Sequence, residues 1–159
     1  MPKLPAPIFT VPVDQSLEGL APRFRARVEM LVAAVPDAMI YETLRSDARQ
    51  QYLYGFGRQW DDGRGIVTNS ETNIDTWHGY GLAVDIIHKA KGWDAPADWW
   101  DRLGAEAIIR GLTWGGKWTF KDLPHVQWGP PMRRSPSPSA SLLKAKGGNE
   151  AVWKVVEAL

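Results

Sequence analysis

Apolar residues recur every three or four positions in two stretches of the chain, and this spacing predicts amphipathic helices. The first stretch, residues 20–35, ends at Pro36, and the second, residues 98–110, is followed by Gly111, a residue type common just beyond helix ends. Between them, Ser46 is a suitable N-cap for a helix over residues 47–56. The predicted buried faces consist of Phe24, Val28, Leu31, Val32 and Val35 in the first stretch and of Trp99, Leu103, Ala107 and Ile108 in the second.

Shorter apolar segments rich in β-branched and aromatic residues favour strands. These segments are residues 38–44, 82–87, 112–114 and 125–128. Side chains alternate between the two faces of a strand, so Asp85 is expected to share a face with Ala83 and Ile87, while His88 lies on the other. The chain is therefore expected to combine helices with short strands.

The composition changes near Pro130, because residues 131–148 are rich in Pro, Ser and Arg, as is typical of a linker. Beyond this segment, Asn149 is a candidate cap for a short helix over residues 149–159. We therefore predict a main domain over residues 1–130, a linker and a C-terminal helix. A helix of about ten residues is not stable alone, so it either folds back onto the domain or serves as an anchor.

Composition and charge describe an ordinary globular chain of 159 residues, with 44% hydrophobic and 23% charged residues. The net charge is +1 and no basic run is interleaved with aromatic residues, so nothing indicates a nucleic-acid partner. The N-terminal segment lacks the apolar stretch of a signal peptide, and no run reaches the length of a membrane span. We therefore expect synthesis in the cytoplasm. Cysteine is absent, which excludes disulfides and thiolate metal ligands.

Two separate segments carry the residue types of a metal site. The first contains His78 and Asp85, and the second contains Asp122 and His125. A hydrolytic zinc needs three protein ligands drawn from His, Asp and Glu, with a fourth position open for water. Two imidazoles, one carboxylate and a spare acid can therefore hold a catalytic zinc.

Two glycines in the first segment and the third histidine of the chain also bear on the predicted metal site. Gly79 and Gly81 are interpreted as positions where the backbone approaches the metal more closely than a side chain would allow. His88 lies on the opposite face of the predicted strand from Asp85 and is a weak candidate for a ligand.

Several spaced motifs occur in a fixed order along the chain. They are Arg45-Ser46-x-x-x-Gln50-x-x-Leu53-Tyr54-x-x-Gly57-Arg58, Gly65-Ile66-Val67-Thr68-Asn69, His78-x-x-Gly81-x-Ala83-x-Asp85 and Asp122-x-x-His125-x-x-Trp128. Together they resemble the zinc peptidases that cut bacterial peptidoglycan, over residues 38–129. Within that group, the motifs look most similar to the L-alanyl-D-glutamate endopeptidases of phage endolysins, relatives of the VanY-type D-Ala-D-Ala carboxypeptidases.

The resemblance implies an α+β fold of the hedgehog/D-Ala-D-Ala-peptidase type, with a small antiparallel sheet, helices packed against it and a zinc groove. By position in the motifs, His78, Asp85 and His125 match that family's zinc ligands, and residues 1–130 would be the catalytic domain. Asp122 matches the catalytic acid/base, and Arg45 matches an arginine that steadies the substrate carbonyl.

Two residues depart from the family pattern, and two of the matched residues have other roles open to them. Thr76 stands where the family often has serine, which keeps the hydroxyl, and Trp77 directly before the first ligand is expected to reshape the groove. Judged without the resemblance, Arg45 could form a surface ion pair, and Asp122 could cap the turn ahead of Pro124.

Three functions are compatible with these residues. The first is a lytic endopeptidase that cuts the L-Ala-D-Glu bond of the peptidoglycan stem peptide. The second is a D-Ala-D-Ala carboxypeptidase or dipeptidase on the same scaffold, and the third is a non-catalytic, zinc-stabilised wall-binding module. The retained Asp122 favours an enzyme, since a binding module needs no proton shuttle. We expect a monomeric phage-type lysin that reaches the cell wall with a holin-type export partner.

Overall fold

The computed structural model describes residues 2–129 and 132–159, and within them the chain forms four α-helices and one four-stranded sheet. The helices are α1 Pro22–Ala34, α2 Asp47–Gly55, α3 Ala97–Ile109 and α4 Pro138–Val156. The strands are β1 Ala38–Glu42, β2 Ala83–His88, β3 Thr113–Trp114 and β4 His125–Gln127. Short 3₁₀ turns cover Asn73–Asp75, Trp77–Tyr80 and Gly115–Lys117. The predicted α+β class is therefore confirmed.

The sheet is antiparallel throughout and has the strand order β1-β2-β4-β3, so β2 and β4 are its central strands. All six residues of β2 are buried, which explains the strand's largely apolar sequence. In the register of the ladders, Asp85 pairs with His125 on β4 and, beyond a bulge that follows Ile40, with Glu42 on β1. Directly opposed residues have Cβ atoms about 4.5–5.5 Å apart. The strand pairing itself therefore brings Asp85 and His125 together.

The hydrophobic core is formed by the sheet together with α1 and α3, which contact β1 and β3. Leu103 and Ala107, four positions apart on α3, are fully buried, as the helical spacing predicts. The expectation that Ile108 faces the core is wrong, because its side chain is 47% exposed. One step along a helix turns the side chain by about 100°, which carries Ile108 away from the face that Leu103 and Ala107 define.

Helix α4 begins earlier than the sequence predicts. The predicted short helix starts at Asn149, but helical backbone already begins at Pro138 and continues to Val156, interrupted by a kink at Gly148 with φ of 71°. The reason lies in the first turn, where Ser137 Oγ accepts a hydrogen bond from Ala140 N and proline suits the first helical position. The predicted linker covers residues 131–148, and Pro130 and Pro131 lie outside the described residues.

The C-terminal half of α4 folds back onto the main domain, which was one of the two predicted roles. Val152 and Val156 are buried, and Trp128 Nε1 donates to the carbonyl of Val156 at 2.9 Å. Trp153 Nε1 donates to the carbonyl of Tyr80 at 2.6 Å. None of the helices in the described part of the chain is both long and apolar enough to cross a bilayer.

A second set of contacts joins α4 to the turn Trp77–Tyr80. Lys144 Nζ and Asn149 Nδ2 both donate to the carbonyl of Gly79, at 2.7 and 3.2 Å. Helix α4 thus donates hydrogen bonds to the backbone carbonyls of Gly79 and Tyr80, the two residues that follow His78.

The end of the chain also caps the first helix. The residue before α1, Ala21, offers no side-chain cap. Instead the carboxylate of Glu157 accepts a hydrogen bond from Arg23 N at 2.8 Å, and Arg23 also donates to the backbone carbonyl of Glu157. A carboxylate at a helix N-terminus satisfies a free N–H group and interacts favourably with the helix dipole.

Replacing Glu157 with alanine is expected to lower the free energy of unfolding by about 1 kcal/mol, as for loss of a typical N-cap. The corresponding fall in melting temperature is about 2–4 °C for a chain of this size. Thermal and denaturant unfolding would measure both quantities. Glu150→Ala, at an exposed position of the same helix, is the matched control and should leave them nearly unchanged. A Glu157→Ala protein as stable as the control would show that the cap contributes nothing.

Candidate metal centre

Three elements of the fold each contribute one side chain to a compact cluster. His78 lies on the turn Trp77–Tyr80, Asp85 lies in the middle of β2, and His125 is the first residue of β4. Their ligand atoms all lie within 4.8 Å of one another. His78 Nε2 is 3.4 Å and His125 Nδ1 is 3.8 Å from Asp85 Oδ1. Tetrahedral coordination with bonds of about 2.0–2.1 Å separates ligand atoms by about 3.4 Å, so the cluster has the dimensions of a metal site.

Hydrogen bonds on the far side of each imidazole fix which nitrogen faces the cluster. His78 Nδ1 lies 3.0 Å from the carbonyl of Thr43, which can only accept, so Nδ1 carries the proton and Nε2 has a free lone pair. His125 Nε2 lies 2.8 Å from Gln127 Oε1. The amide of Gln127 is itself oriented, because its Nε2 donates to the carbonyl of Arg133 at 3.0 Å. Each histidine is therefore held in the tautomer that a metal ligand requires.

Thr43 and Gln127 were not among the predicted site residues. A signal for Gln127 was present, since residues two apart on a strand share a face, and Gln127 follows His125 by two positions on β4. Thr43 acts through its backbone carbonyl, for which no residue type is diagnostic.

The two glycines of the His78 turn have a different role from the predicted one. A Cβ on Gly79 would lie 1.9 Å from the carbonyl oxygen of Asn73. Gly81 has φ of 69°, and a Cβ there would lie 2.2 Å from the carbonyl oxygen of Gly19. Neither glycine makes room for a metal. They allow the turn to pack against neighbouring backbone, which fixes the position of His78.

Arg45 lies directly behind Asp85 and is almost completely surrounded by partners. Its guanidinium donates to Glu42 Oε1 through Nε and Nη2, at 3.1 and 2.7 Å, and to Gln50 Oε1 through Nη1 at 3.0 Å. Nη2 also lies 3.5 Å from Asp85 Oδ2. Arg45 is therefore neither a surface ion pair nor a free cation, and it draws one oxygen of Asp85 away from the cluster while Oδ1 faces the two imidazoles.

The protonation states within the cluster suit a cation. Burial raises the pKa of Asp85, but His78, Arg45 and His125 outweigh it and hold that pKa well below its usual range. Burial and the neighbouring charge of His78 lower the pKa of His125 to about 4. Near neutral pH the carboxylate is therefore ionised and His125 is neutral, which are the forms that bind metals.

Asp122 lies at the edge of the cluster, half exposed to the cleft. Its Oδ2 is 3.9 Å from His125 Nδ1. The loop that carries it is tied down by bonds from Asp122 N to the carbonyl of Gly115 and from Trp114 Nε1 to the carbonyl of Leu123. Burial and the charge of Asp85 raise the pKa of Asp122 to about 6. A carboxyl of this pKa on an anchored loop is suited to exchanging protons near neutral pH.

A cleft of about 660 Å³ opens over the cluster. Trp118 forms part of its wall, with its ring centroid 5.0 Å from that of His125. Exposed apolar groups lie further out, since Trp93 is 52% and Phe120 is 77% exposed. The other lining residues include Arg45, Val67, Thr68, Asn69, Ser70, Asp75, Thr76, Asp122, Arg134 and Ser135.

Three further residues discussed in the sequence analysis lie at or near the site, and only one of them lines the cleft. His88 is at the far end of β2, where its Nδ1 accepts from the backbone N–H groups of Ala90 and Lys91 at 3.1 Å. It therefore ends the strand and lies outside the metal cluster, as its face predicted. Trp77 was expected to reshape the groove, but its ring is buried beside it, and Nε1 donates to the carbonyl of Arg133 at 2.8 Å. Thr76 does line the cleft.

A comparison with known protein families relates this geometry to a known group. Residues 69–128 match the model of a family described as D-alanyl-D-alanine carboxypeptidase. The matched segment contains the three residues of the cluster and Asp122, while Arg45 lies before it. A search of curated proteins finds no match to the chain. Because the family match and the His-Asp-His cluster coincide, residues 69–128 carry a domain of the D-alanyl-D-alanine carboxypeptidase family with the ligand set of a metallopeptidase.

Proposed function

We propose that this peptidoglycan peptidase is a zinc-dependent endopeptidase that cuts the L-Ala-D-Glu bond of the stem peptide. The observation that carries the proposal is the convergence of His78, Asp85 and His125 with a half-exposed carboxylate, Asp122, at the open side of the same cluster. Three fixed ligands beside a solvent-filled cleft leave room for a water and a substrate carbonyl. The identity and arrangement of these residues therefore support both zinc binding and hydrolysis of an amide bond.

The donor set favours zinc over other common cations. Two imidazoles and one carboxylate suit zinc, whereas calcium and magnesium prefer oxygen ligands in larger numbers. Zinc held by His78, Asp85 and His125 would supply a water of lowered pKa and polarise the scissile carbonyl. The partners of the two imidazoles, Thr43 and Gln127, support this role, because such bonds keep ligating histidines in place.

In this proposal Asp122 moves the proton of the reaction. It takes the proton of the attacking water and delivers it to the nitrogen of the leaving amine, which then departs as a neutral amine. Its backbone is anchored by the Gly115 contact, and its Oδ2 lies 3.9 Å from His125 Nδ1 at the edge of the cleft. A bound cation would lower the pKa of Asp122 below its metal-free value, so the carboxylate would be ionised at neutral pH before reaction.

Arg45 is proposed to support the reaction by orienting Asp85. It lines the cleft, but Nη2, which would contact the substrate carbonyl as the resemblance implies, already lies 2.7 Å from Glu42 Oε1 and 3.5 Å from Asp85 Oδ2. The present contacts support a role in orienting Asp85, because Glu42 and Gln50 already occupy most of the guanidinium's donors.

A second candidate activity is cleavage of the terminal D-Ala-D-Ala bond, which the description of the matched family favours. The two activities differ in how much peptide lies on each side of the cut bond. A cleft of about 660 Å³, with Trp93 and Trp118 among its lining residues, supports binding of a peptide segment longer than a terminal dipeptide. We further propose that the protein is a phage-type lysin that reaches the cell wall with a holin-type export partner.

Purified protein prepared without added metal is expected to contain about one equivalent of zinc, as for a single site. His78→Ala and His125→Ala should each lose most of it, because two protein ligands bind zinc far less tightly than three. His88→Ala is the control and should retain the full equivalent, since His88 lies outside the cluster. Elemental analysis by mass spectrometry measures all four proteins. Full zinc occupancy in either ligand variant would overturn the ligand assignment.

Asp122→Asn should keep zinc and fold while turnover falls about 10²–10⁴-fold, the usual contribution of a general acid/base group. Asparagine preserves size and hydrogen bonding but cannot accept the proton. Zinc content, circular dichroism and peptide release would be measured on one preparation, with Asp101→Asn on an exposed face of α3 as control. Turnover near that of the unmodified protein would remove Asp122 from the mechanism.

Digestion of purified peptidoglycan, followed by mass spectrometry of the new termini, identifies the bond that is cut. We expect a free L-Ala carboxyl and a free D-Glu amine. Release of D-Ala would select the carboxypeptidase instead. If a folded, zinc-loaded preparation gives no product, the chain does not cleave this polymer.

A further inference from the structure

The chain returns to the cleft after β4, in a segment that the sequence analysis assigned to a linker. Two side chains donate hydrogen bonds to the carbonyl of Arg133: Trp77 Nε1 at 2.8 Å and Gln127 Nε2 at 3.0 Å. Both donors are buried and both belong to elements that carry metal-cluster residues. The next two residues, Arg134 and Ser135, line the cleft. Their position is therefore fixed relative to the cluster.

The guanidinium of Arg134 lies over the ring of Trp118 within this cleft. The guanidinium carbon lies 4.7 Å from the centroid of Trp118, whose ring is in turn 5.0 Å from that of His125. Stacking covers one face of the planar group and leaves its in-plane N–H donors available. Because the ring restricts the side chain, less conformational entropy is lost when a ligand binds to it.

Of the two arginines that line the cleft, Arg134 is the one whose positive charge is available to a ligand. Arg45, the other lining arginine, already pairs with Glu42 and contacts Asp85. Among the described residues, none places a carboxylate within 4.0 Å of Arg134. The residue is exposed at the cleft wall, so its donors otherwise face solvent.

We propose that Arg134 is a specificity-determining residue that binds a carboxylate of the substrate close to the scissile amide. The inference rests on the proposed function and names its substrate class: a peptide with a free carboxylate on the Trp118 side of the cluster. One indole ring separates the guanidinium from His125, and an extended peptide advances about 3.4 Å per residue. The carboxylate therefore belongs to a residue within about three positions of the cut bond. A planar guanidinium binds a carboxylate through two parallel N–H bonds and discriminates against a neutral amide.

The test uses two synthetic stem-type peptides that differ only in a carboxylate or a carboxamide on the residue that follows the scissile bond. The unmodified enzyme should cleave the carboxylate peptide with a kcat/KM about 10-fold higher, equivalent to about 1.4 kcal/mol. Arg134→Gln should reduce this preference to nearly one, mainly by raising KM for the carboxylate peptide, while kcat/KM for the carboxamide peptide changes much less. Arg134→Lys should recover part of the preference, because it restores charge without the paired donors.

Lys117→Gln is the matched control. Lys117 directly precedes Trp118 in the chain but does not line the cleft, so its loss removes the same charge from a neighbouring position outside the proposed site. The control should keep the full preference for the carboxylate peptide. If the unmodified enzyme shows no preference, or if Arg134→Gln keeps it, the proposal is wrong.

A binding measurement separates this proposal from the proposed function. Asp122→Asn protein, alone and combined with Arg134→Gln, would be titrated with the carboxylate peptide while tryptophan fluorescence is followed. An about 10-fold weaker Kd in the double variant supports the Arg134 site even if the unmodified enzyme cuts neither peptide. Equal Kd values, or no binding to either protein, overturn it whatever the catalytic result.

Discussion

The burial of one carboxylate, Asp85, is the constraint around which the rest of the site is arranged. An ionised carboxylate in the middle of a central strand is costly unless its charge is balanced and its oxygens are bonded. Arg45 balances it from one side, and the two imidazoles face it from the other. Glu42 in turn accepts from Arg45 and Arg49, so the positive charge is itself compensated. Glu42 on β1, His78 on the turn Trp77–Tyr80 and His125 on β4 therefore belong, with Arg45, to one charge network centred on Asp85.

Much of this arrangement could be predicted from the sequence, because local patterns determine it. Helical spacing located α1 and α3, Ser46 marked the start of α2 with its Oγ bonded to Arg49 N, and alternation along β2 separated Asp85 from His88. The cluster of His78, Asp85 and His125 followed from residue type, motif spacing and the family resemblance. These features depend on short segments whose chemistry is visible in a few residues.

Features that depend on the meeting of distant segments were not predictable in this way. Composition suggested a linker where α4 begins, since proline and serine occur both in linkers and at helix starts. The carbonyl of Thr43 orients His78 without any side-chain signal. Arg45 was matched by its motif, but Glu42, which accepts hydrogen bonds from it, lies on β1 outside that motif. Whether residues 131–148 and 149–159 behave as separate parts of the protein stays a prediction.

The contacts of α4 with the carbonyls of Gly79 and Tyr80 join two equilibria that would otherwise be independent. A ligand that binds only the ordered turn around His78 adds its binding free energy to the docked state of α4, by thermodynamic linkage. The reciprocal also holds, since undocking of α4 releases the backbone on which the first imidazole is mounted. A metal bound at the cluster and the docked C-terminal helix would therefore stabilise each other, although no side chain of α4 belongs to the cluster.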